Sequence, residues 1–329
     1  MPDKIDRREF IIRLGTATGA AVLIGAGALL LHNRKIITPS ESINIVKKDF
    51  TIEIPSTFPQ MIMAHGDSPS KNVLAAIEEL NGGKGNGIKH FIKKGDSVLV
   101  KPNAGWDRTP EQAANTNPEV IAMVIKLCLE AGARKVIVTD ASCNEPKRTF
   151  LRSGIEKAVL ESGGIVELPV EHKFKVVPIG GTVLKNWLVY STYLTVDKVI
   201  NIPVVKHHNL TGATLGMKNW YGILGGRRNQ LHQKINESIV DLATFIKPTL
   251  TILDGTRILM KNGPQGGSLS DVKIGNTLAV STDPVAIDAY GALLLGRKPE
   301  DIGYIALANQ NKLGEINYKN LRYKEINVT

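Results

Sequence analysis

Short, nearly continuous apolar runs recur along this chain and limit its fold more than any other feature of the sequence. Runs of this kind are typical of strands that are covered on both faces, because a strand with one solvated face alternates apolar and polar residues instead. We therefore expect strands at residues 61–64, 98–100, 136–138, 199–202, 250–253 and 278–280.

Helix signals stand between several of these strands. Asn117 supplies an N-cap, Pro118 a proline at the first helical position and Glu119 a first-turn acid. Further helices are expected at residues 70–80, 235–246 and 283–296. Strands that alternate with helices form βαβ units, so the sequence predicts an α/β fold with a mainly parallel sheet flanked by helices in Rossmann-like layers. The pattern leaves open whether the sheet forms one lobe or two.

The first 35 residues predict a targeting signal rather than a part of this domain. Arg7 and Arg8 stand before Phe10 and an uncharged stretch at residues 14–31, a pattern that resembles the twin-arginine export signal. No small-x-small cleavage site follows the stretch, and its 18 residues would span about 27 Å as a helix. We therefore expect an uncleaved N-terminal anchor helix, with a cleaved signal peptide and a buried helix as the alternatives.

This N-terminus also gives an expected location and two expected partners. Basic residues are more numerous before the apolar stretch than after it, which predicts a cytoplasmic N-terminus and an exported domain in the cell envelope. The expected partners are the twin-arginine translocation machinery and the membrane, through residues 14–31. A tether at residues 36–55, with room for an edge strand, leads into the α/β domain at residues 56–329.

Composition narrows the class of ligand. The formal net charge is +10, of which the first 35 residues contribute three, and aromatic residues make up 5% of the chain. A modestly basic domain with few aromatic side chains is poorly suited to nucleic acid, so we expect a small anionic ligand. Two cysteines are too few for an iron–sulfur cluster or a four-cysteine zinc site. The glycine spacings of the nicotinamide dinucleotide and Walker motifs are absent.

Polar side chains follow the ends of five expected strands. Open α/β sheets bind ligands outside the carboxyl ends of their strands, where helix N-termini also point. We therefore expect these side chains to converge on one crevice. They are Lys101 with Asn103, Asp140, Lys206 with His207 and His208, Asp254, and Asp283.

Two connections, residues 103–116 and 207–233, are longer than a compact domain needs and are expected to be functional. The second is rich in glycine, hydroxyl and amide residues, which suit a phosphate or a carboxylate. Its candidate anion-binding residues are Thr211, Gly212, Thr214, Lys218 and Asn219. A third loop, residues 261–267, contains Gly263 and Gly266 and either closes over the same crevice or forms a surface hairpin.

Several of these segments together carry a resemblance to a known family. They are Lys101-Pro102-Asn103, Asn117-Pro118-Glu119-Val120, residues 208–222, Asp254-Gly255, Gly263-Pro264 with Gly266, and Ser281-Thr282-Asp283-Pro284 with Asp288. In this combination the chain resembles the Domain of Unknown Function 362 family over roughly residues 60 to 300. The resemblance implies the fold and the position of the site, but no particular reaction. Some members carry an added ferredoxin-like segment, whose cluster cysteines this chain lacks.

Lysines at these positions are the expected anion anchors, because a lysine directly after a buried strand is rarely needed for stability. They are Lys101, Lys206 and Lys218. Asp283 and Asp288 are further candidates for the anion site, although an aspartate before a proline is also a good N-cap.

His208 is the expected centre of the chemistry. With Asp140 or Asp254 it is expected to transfer protons or to form a site for a divalent metal ion. The adjacent His207 points to the other side of an extended backbone, so only one of the two histidines can serve. Cys143 is an alternative nucleophile on the loop after Asp140.

Two classes of function agree with these features. The first is an enzyme, such as a hydrolase, lyase or isomerase, that acts on a small anionic metabolite. The second is a non-catalytic ligand-binding or assembly factor, which would keep the lysines and glycines but tolerate loss of His208 and the aspartates.

Overall fold

The computed structural model describes residues 48–83, 85 and 87–329. The strands found in these ranges are β1 (Lys48–Asp49), β2 (Met61–His65), β3 (Ser97–Pro102), β4 (Lys135–Val138), β5 (Ile165–Val166), β6 (Phe174–Pro178), β7 (Asn186–Tyr190), β8 (Lys198–Ile202), β9 (Val204–His208), β10 (Gly212–Thr214), β11 (Ile246–Lys247), β12 (Leu250–Leu259), β13 (Val272–Ser281) and β14 (Tyr323–Asn327). The α-helices there are α1 (Pro69–Leu80), α2 (Pro118–Glu130), α3 (Pro146–Arg152), α4 (Ile155–Glu161), α5 (Thr192–Thr195), α6 (Gly216–Asn219), α7 (Ile235–Phe245), α8 (Pro284–Leu294) and α9 (Gly303–Gln310).

Ten of these strands form one mixed sheet. Its path is β14-β2-β13-β12-β8-β3-β4-β5, with β9 paired to β12 and β10 paired to β9. β13 runs antiparallel to β12 and β2, and β10 runs antiparallel to β9, while the other neighbouring pairs are parallel. The predicted α/β fold with a mainly parallel sheet is therefore confirmed.

Alternate residues of the strands bury opposite faces of this sheet. In β2, Ile62 belongs to a core that contains Val73 of α1, whereas its neighbour Met61 belongs to a core that contains Ile239 of α7 and Val285 of α8. Helices α1–α4 cover one face and α5–α9 the other. Both faces are covered by helices and excluded from solvent, which is the physical reason for the nearly continuous apolar runs.

The direction of β13 corrects one expectation about the crevice. Ser281, the last residue of β13, pairs with Thr251 near the start of β12. Asp283 therefore lies at the edge of the sheet opposite the carboxyl ends of the parallel strands. There it N-caps α8, and its Oδ1 accepts the backbone N–H groups of Val285 at 2.9 Å and Ala286 at 2.8 Å. Its predicted place in the anion site was wrong, because an apolar run does not encode strand direction.

The predicted export signal and anchor, residues 1–35, lie outside the described residues, as does most of the predicted tether. In the part of the chain that the structure does describe, no helix is both long enough and apolar enough to cross a membrane. β1, at the end of the predicted tether, pairs in parallel with β11.

Candidate functional site

A cavity of about 660 Å³ opens at the carboxyl edge of the sheet, and the loops of residues 103–116 and 207–233 supply most of its walls. Several side chains that were candidates from the sequence meet in it, although they come from separate elements: Asn103, Asp140, Lys206, His208, Thr214, Lys218 and Asn219. Cys143 lines the same cavity.

Lys101 and Asp140 form a buried ion pair at the cavity wall, with Asp140 lining the cavity and Lys101 behind it. Lys101 Nζ donates to Asp140 Oδ1 at 2.6 Å and to the carbonyl of Pro102 at 2.8 Å. Asp140 Oδ2 accepts the backbone N–H of Ala104 at 2.7 Å. Lys101 is 0% exposed and does not line the cavity, and burial lowers its pKa although Asp140 acts in the opposite direction. Contrary to expectation, Lys101 is therefore held by the protein and is not free to bind an anion.

Amide side chains connect this ion pair to the cavity. Asn219 Oδ1 accepts from Lys101 Nζ at 3.2 Å and from Asn103 Nδ2 at 3.0 Å, and its own Nδ2 donates to Asn201 Oδ1 at 2.8 Å. Asn103 Oδ1 in turn accepts from Lys206 Nζ at 2.8 Å. These bonds fix the two predicted loops against β8 and β9 and orient each amide group.

Among the described residues, Lys206 is a buried ammonium group that has no carboxylate partner. It is 1% exposed, and its Nζ donates to the neutral oxygens of Asn103 and the Ala114 carbonyl, at 2.8 and 2.6 Å. Burial, with the nearby charge of Lys218 as a smaller cause, lowers the pKa of Lys206 to about 7. Its charge is therefore poorly compensated by the protein.

Lys218, at the end of α6, points its ammonium group toward the face of an aromatic ring. Its Nζ lies 5.0 Å from the centroid of Tyr221, and it has no hydrogen-bond acceptor among the described residues. The side chain is 8% exposed, and burial lowers its pKa to about 8. A ring face stabilises a cation but does not neutralise it. Lys218 is thus the cation of the cavity with the greatest need for an external partner.

His208 is a neutral hydrogen-bond donor in this setting. Its Nδ1 accepts the backbone N–H groups of Leu210 at 3.1 Å and Thr211 at 3.3 Å. Burial, followed by the charges of Lys218 and Lys206, lowers its pKa to about 2. With Nδ1 used as an acceptor, the proton of the neutral ring is on Nε2. Nε2–H can donate to a ligand oxygen, but in this tautomer it can neither accept a proton nor bind a metal ion.

Gly222 lets the backbone approach the buried ion pair. A Cβ atom at this position would collide with Asp140 Oδ1 and lie 2.6 Å from Lys101 Nζ. The Gly222 carbonyl also accepts the backbone N–H of Ala141 at 2.8 Å. Only glycine leaves room here, so this glycine of the loop is explained by the contact with the buried ion pair.

Comparison with protein families identifies the fold family. The family model described as Domain of unknown function (DUF362) matches residues 98–293. The chain belongs to this family. The matched residues run from β3 into α8 and contain every cavity-lining residue named above.

Other proteins are similar to this DUF362 chain at a lower level. A thylakoid-associated protein of Synechocystis sp. is 29% identical over 256 residues, which cover 73% of this chain and 74% of that protein. The lactate racemase apoprotein from Thermoanaerobacterium thermosaccharolyticum has a TM-score of 0.42 and 14% identity, and the match covers 76% of this chain and 61% of that one. A protein from Thermotoga maritima has a TM-score of 0.36 and 14% identity, over 75% and 60% of the two chains. Similarities of this size to solved structures carry no conclusion about activity.

Asp254 does not line the cavity of this DUF362 protein. Its Oδ2 accepts the backbone N–H of Asn117 at 2.7 Å, and its Oδ1 accepts from the N–H and Oγ1 of Thr256 at 3.0 and 2.7 Å. It therefore ties β12 to the start of α2. No group of three or more His, Cys, Asp or Glu side chains among the described residues could hold a metal ion. His208, Asp140 and Asp254 consequently do not assemble the metal site that the sequence suggested.

Asp288 lies behind the cavity rather than in it. It is fully buried and accepts the backbone N–H groups of Gly216 at 2.6 Å and Met217 at 2.9 Å, where α6 begins. Burial raises its pKa to about 7. Asp288 was expected to bind the anion, but it instead positions the short helix that carries Lys218.

The hairpin of β9 and β10 contains three further candidates. Thr211 does not line the cavity, since its N–H donates to His208 and its Oγ1 donates to the carbonyl of Ala213 at 2.8 Å. Gly212 also lies outside the cavity and adopts a φ of +78°, a left-handed conformation that favours glycine. Thr214 lines the cavity, and its buried Oγ1 has no hydrogen-bond partner among the described residues.

The third loop contributes a different residue from those predicted. Gly263 packs against the backbone of His207, where a Cβ atom would collide with the carbonyl oxygen, and Gly266 adopts a φ of +57°. Neither glycine lines the cavity, whereas Pro264 between them does. The loop therefore borders the crevice, as one of its two interpretations held.

Several cavity residues were not among the sequence candidates: Trp106, Tyr221, Arg227, Arg228 and His232. Arg228 holds the loop after β4, because its Nη1 donates to the carbonyl of Ala141 at 2.6 Å and its Nη2 to that of Ser142 at 2.9 Å. All five residues lie in the two long loops, so loop length was the signal that could have found them.

Proposed function

We propose that this protein binds a small phosphate- or carboxylate-bearing metabolite in the cavity and acts on it as an enzyme. One observation carries the proposal: within the part of the chain that the structure describes, Lys206 and Lys218 are buried cations that have no carboxylate partner. The acidic side chain that lines the cavity in the described part of the chain is Asp140, and Lys101 already uses it.

The energetics favour an anionic ligand. Removing an ion from water costs several kcal/mol unless a counter-ion compensates, and the lowered pKa values of Lys206 and Lys218 express this cost. A bound anion would supply the missing charge and raise both pKa values. Binding of the anion should therefore be accompanied by proton uptake at these lysines near neutral pH.

The same groups could support chemistry on the ligand. Lys206, with a pKa of about 7, can exchange a proton near neutral pH. The neutral Nε2–H of His208 can polarise a carbonyl or phosphoryl oxygen without transferring a charge. A proton-transfer reaction on an anion, of the hydrolase, lyase or isomerase type, agrees with these roles.

Thermal unfolding in inorganic phosphate and in malonate tests the binding step. A ligand at 100 times its Kd stabilises the native state by about 2.7 kcal/mol, so the midpoint should rise by several degrees. Lys218→Met should abolish this shift. The exposed Lys175→Met is the matched control, because it removes one positive charge outside the cavity and should keep the shift. Equal shifts in the two variants would refute the proposed site.

A non-catalytic ligand-binding or assembly factor is the second candidate. It is favoured by the fact that two of the predicted acid–base groups that line the cavity are engaged: Asp140 by Lys101 and Ala104, and His208 Nδ1 by backbone N–H groups. His208→Ala separates the two candidates. Unchanged phosphate affinity with loss of the cellular function indicates an enzyme, whereas unchanged affinity with full cellular function indicates binding alone.

We further propose that the protein is exported and works in the cell envelope. The paired Arg7 and Arg8 before an apolar stretch support this, and so does the thylakoid association named for the Synechocystis relative. Cell fractionation of Arg7→Lys/Arg8→Lys should find the protein in the cytoplasm. Arg34→Lys, the matched control beyond the apolar stretch, should leave the distribution unchanged. Unaltered export of the double variant would remove the twin-arginine proposal.

A further inference from the structure

Cys143 stands at a fixed position in the wall of the cavity. Its side chain is exposed and lines the cavity, and its backbone N–H donates to the carbonyl of Gly105 at 2.8 Å. Arg228 binds the carbonyls of the two preceding residues, Ala141 and Ser142. The thiol is therefore accessible to a ligand while its backbone is held on both sides.

The surroundings of this thiol are cationic. Lys206 and Lys218 line the same cavity, and a negative charge on Cys143 raises the pKa of each of them. The thiolate is the nucleophilic form of cysteine. The same cations would hold the negative charge of a small ligand beside the sulfur atom.

Lys218 is an independent observation that favours a ligand in this space. It is 8% exposed, and its Nζ has no hydrogen-bond acceptor among the described residues. The neutral Nε2–H of His208 supplies a donor for a ligand oxygen in the same cavity. A nucleophile, a cation that can bind an anion and a hydrogen-bond donor for a ligand oxygen thus surround one space.

We propose that Cys143 is the nucleophile of this cavity and forms a reversible hemithioacetal with a small anionic aldehyde or ketone. The sulfur atom forms a bond to the carbonyl carbon while the π bond of the carbonyl breaks. The former carbonyl oxygen takes the proton that the thiol releases, so no oxidant, reductant or co-reactant is needed. The inference rests on the proposed anion binding and adds a substrate class to it.

The other cysteine provides an internal control. Cys128 lies in α2, is fully buried in the core, and burial raises its pKa. Its thiol should react with alkylating reagents only after unfolding. Any selectivity seen in the native protein can therefore be assigned to Cys143 by peptide mass.

The first measurement compares the alkylation rates of native Cys143 by iodoacetate and iodoacetamide, with the same ratio in urea-unfolded protein as reference. Iodoacetate carries a carboxylate beside its electrophilic carbon, so the native ratio should exceed the unfolded ratio by about tenfold. Lys218→Met should remove the preference, and Lys175→Met should keep it. Equal native and unfolded ratios would overturn the inference.

The second measurement tests the carbonyl adduct. Glyoxylate should protect Cys143 from iodoacetamide more strongly than glycolate, its hydroxyl analogue of equal charge. Equal protection by the two anions would show occupancy without a covalent step and would overturn the inference. The phosphate-induced thermal shift in Cys143→Ala distinguishes the two proposals: a retained shift leaves anion binding standing whatever Cys143 does, and no shift in the wild type refutes both.

Discussion

Replacing Asp140 by asparagine tests whether the cavity rests on a buried ion pair. Lys101 Nζ lies 2.6 Å from Asp140 Oδ1, and the two side chains are 0% and 4% exposed. Breaking a buried pair by removing one partner costs about 3–5 kcal/mol, because the remaining charge stays buried without a counter-ion. Lys101 keeps the Pro102 carbonyl and the Asn219 amide oxygen as neutral acceptors. We therefore expect Asp140→Asn to lower the free energy of unfolding by an amount near the lower limit of this range, about 3 kcal/mol.

The assay is the free energy of unfolding in urea. Asp49→Asn is the matched control, because it removes an exposed ion pair with Lys247 at 3.4 Å and should cost less than about 1 kcal/mol. A double variant, Lys101→Met/Asp140→Asn, leaves neither charge buried. It should be more stable than the sum of the two single losses implies.

Two results would refute this reasoning. If Asp140→Asn costs no more than Asp49→Asn, Asp140 does not compensate Lys101. If the two single losses simply add in the double variant, the two charges are not coupled. The pH dependence gives a third check: without Asp140 the native state favours neutral Lys101, so the loss should shrink as the pH rises toward 10. A loss that does not vary with pH would have to come from packing alone.

Further predictions concern the cavity and its support. Gly222→Ala should lower stability by about 1–3 kcal/mol and weaken phosphate binding, measured by urea unfolding and thermal shift, because its Cβ would meet the buried ion pair; wild-type values contradict this. Unfolding free energy should rise between pH 7 and 10, because native Lys206 and Lys218, with pKa values of about 7 and about 8, bind fewer protons than the unfolded chain. Saturating phosphate should flatten that slope, and an unchanged slope with phosphate would count against anion binding at these lysines. Asp288 has its pKa raised from 3.8 to about 7, so its stabilising contribution is present at acidic pH and lost as the pH rises through about 7. Asp288→Asn should remove this decline from the pH profile of stability, and a decline that persists would assign it to another group.

The sequence indicates the fold well because burial leaves a direct mark on it. Strands covered on both faces must be apolar at every position, and capping residues must precede helices such as α2. Strand direction leaves no such mark. β13 is as apolar in its second half as the parallel strands of the sheet, so its reversed direction and the resulting position of Asp283 could not be predicted from the sequence.

The candidate site is predictable only in outline for a similar reason. Loop length and strand ends identify the region, since these features depend on the order of residues along the chain. Which polar side chains face the cavity depends on contacts between distant segments. The backbone N–H of Asn117 donates to the carboxylate of Asp254, and the backbone N–H groups of Gly216 and Met217 donate to that of Asp288. No local pattern distinguishes an aspartate that binds backbone N–H groups from one that faces a ligand.

The contacts inside the cavity wall also limit what the ligand must provide. Both oxygens of Asp140 are occupied by groups of the protein, and the amide of Asn219 is bonded on both its oxygen and its nitrogen. The groups that remain toward the cavity include the ammonium of Lys218, the Nε2–H of His208 and the thiol of Cys143. These are a cation, a donor and a nucleophile, with no free carboxylate among them. A ligand that satisfied this set would itself bring the negative charge and the acceptor oxygens, which is the physical reason why we propose an anion for this cavity.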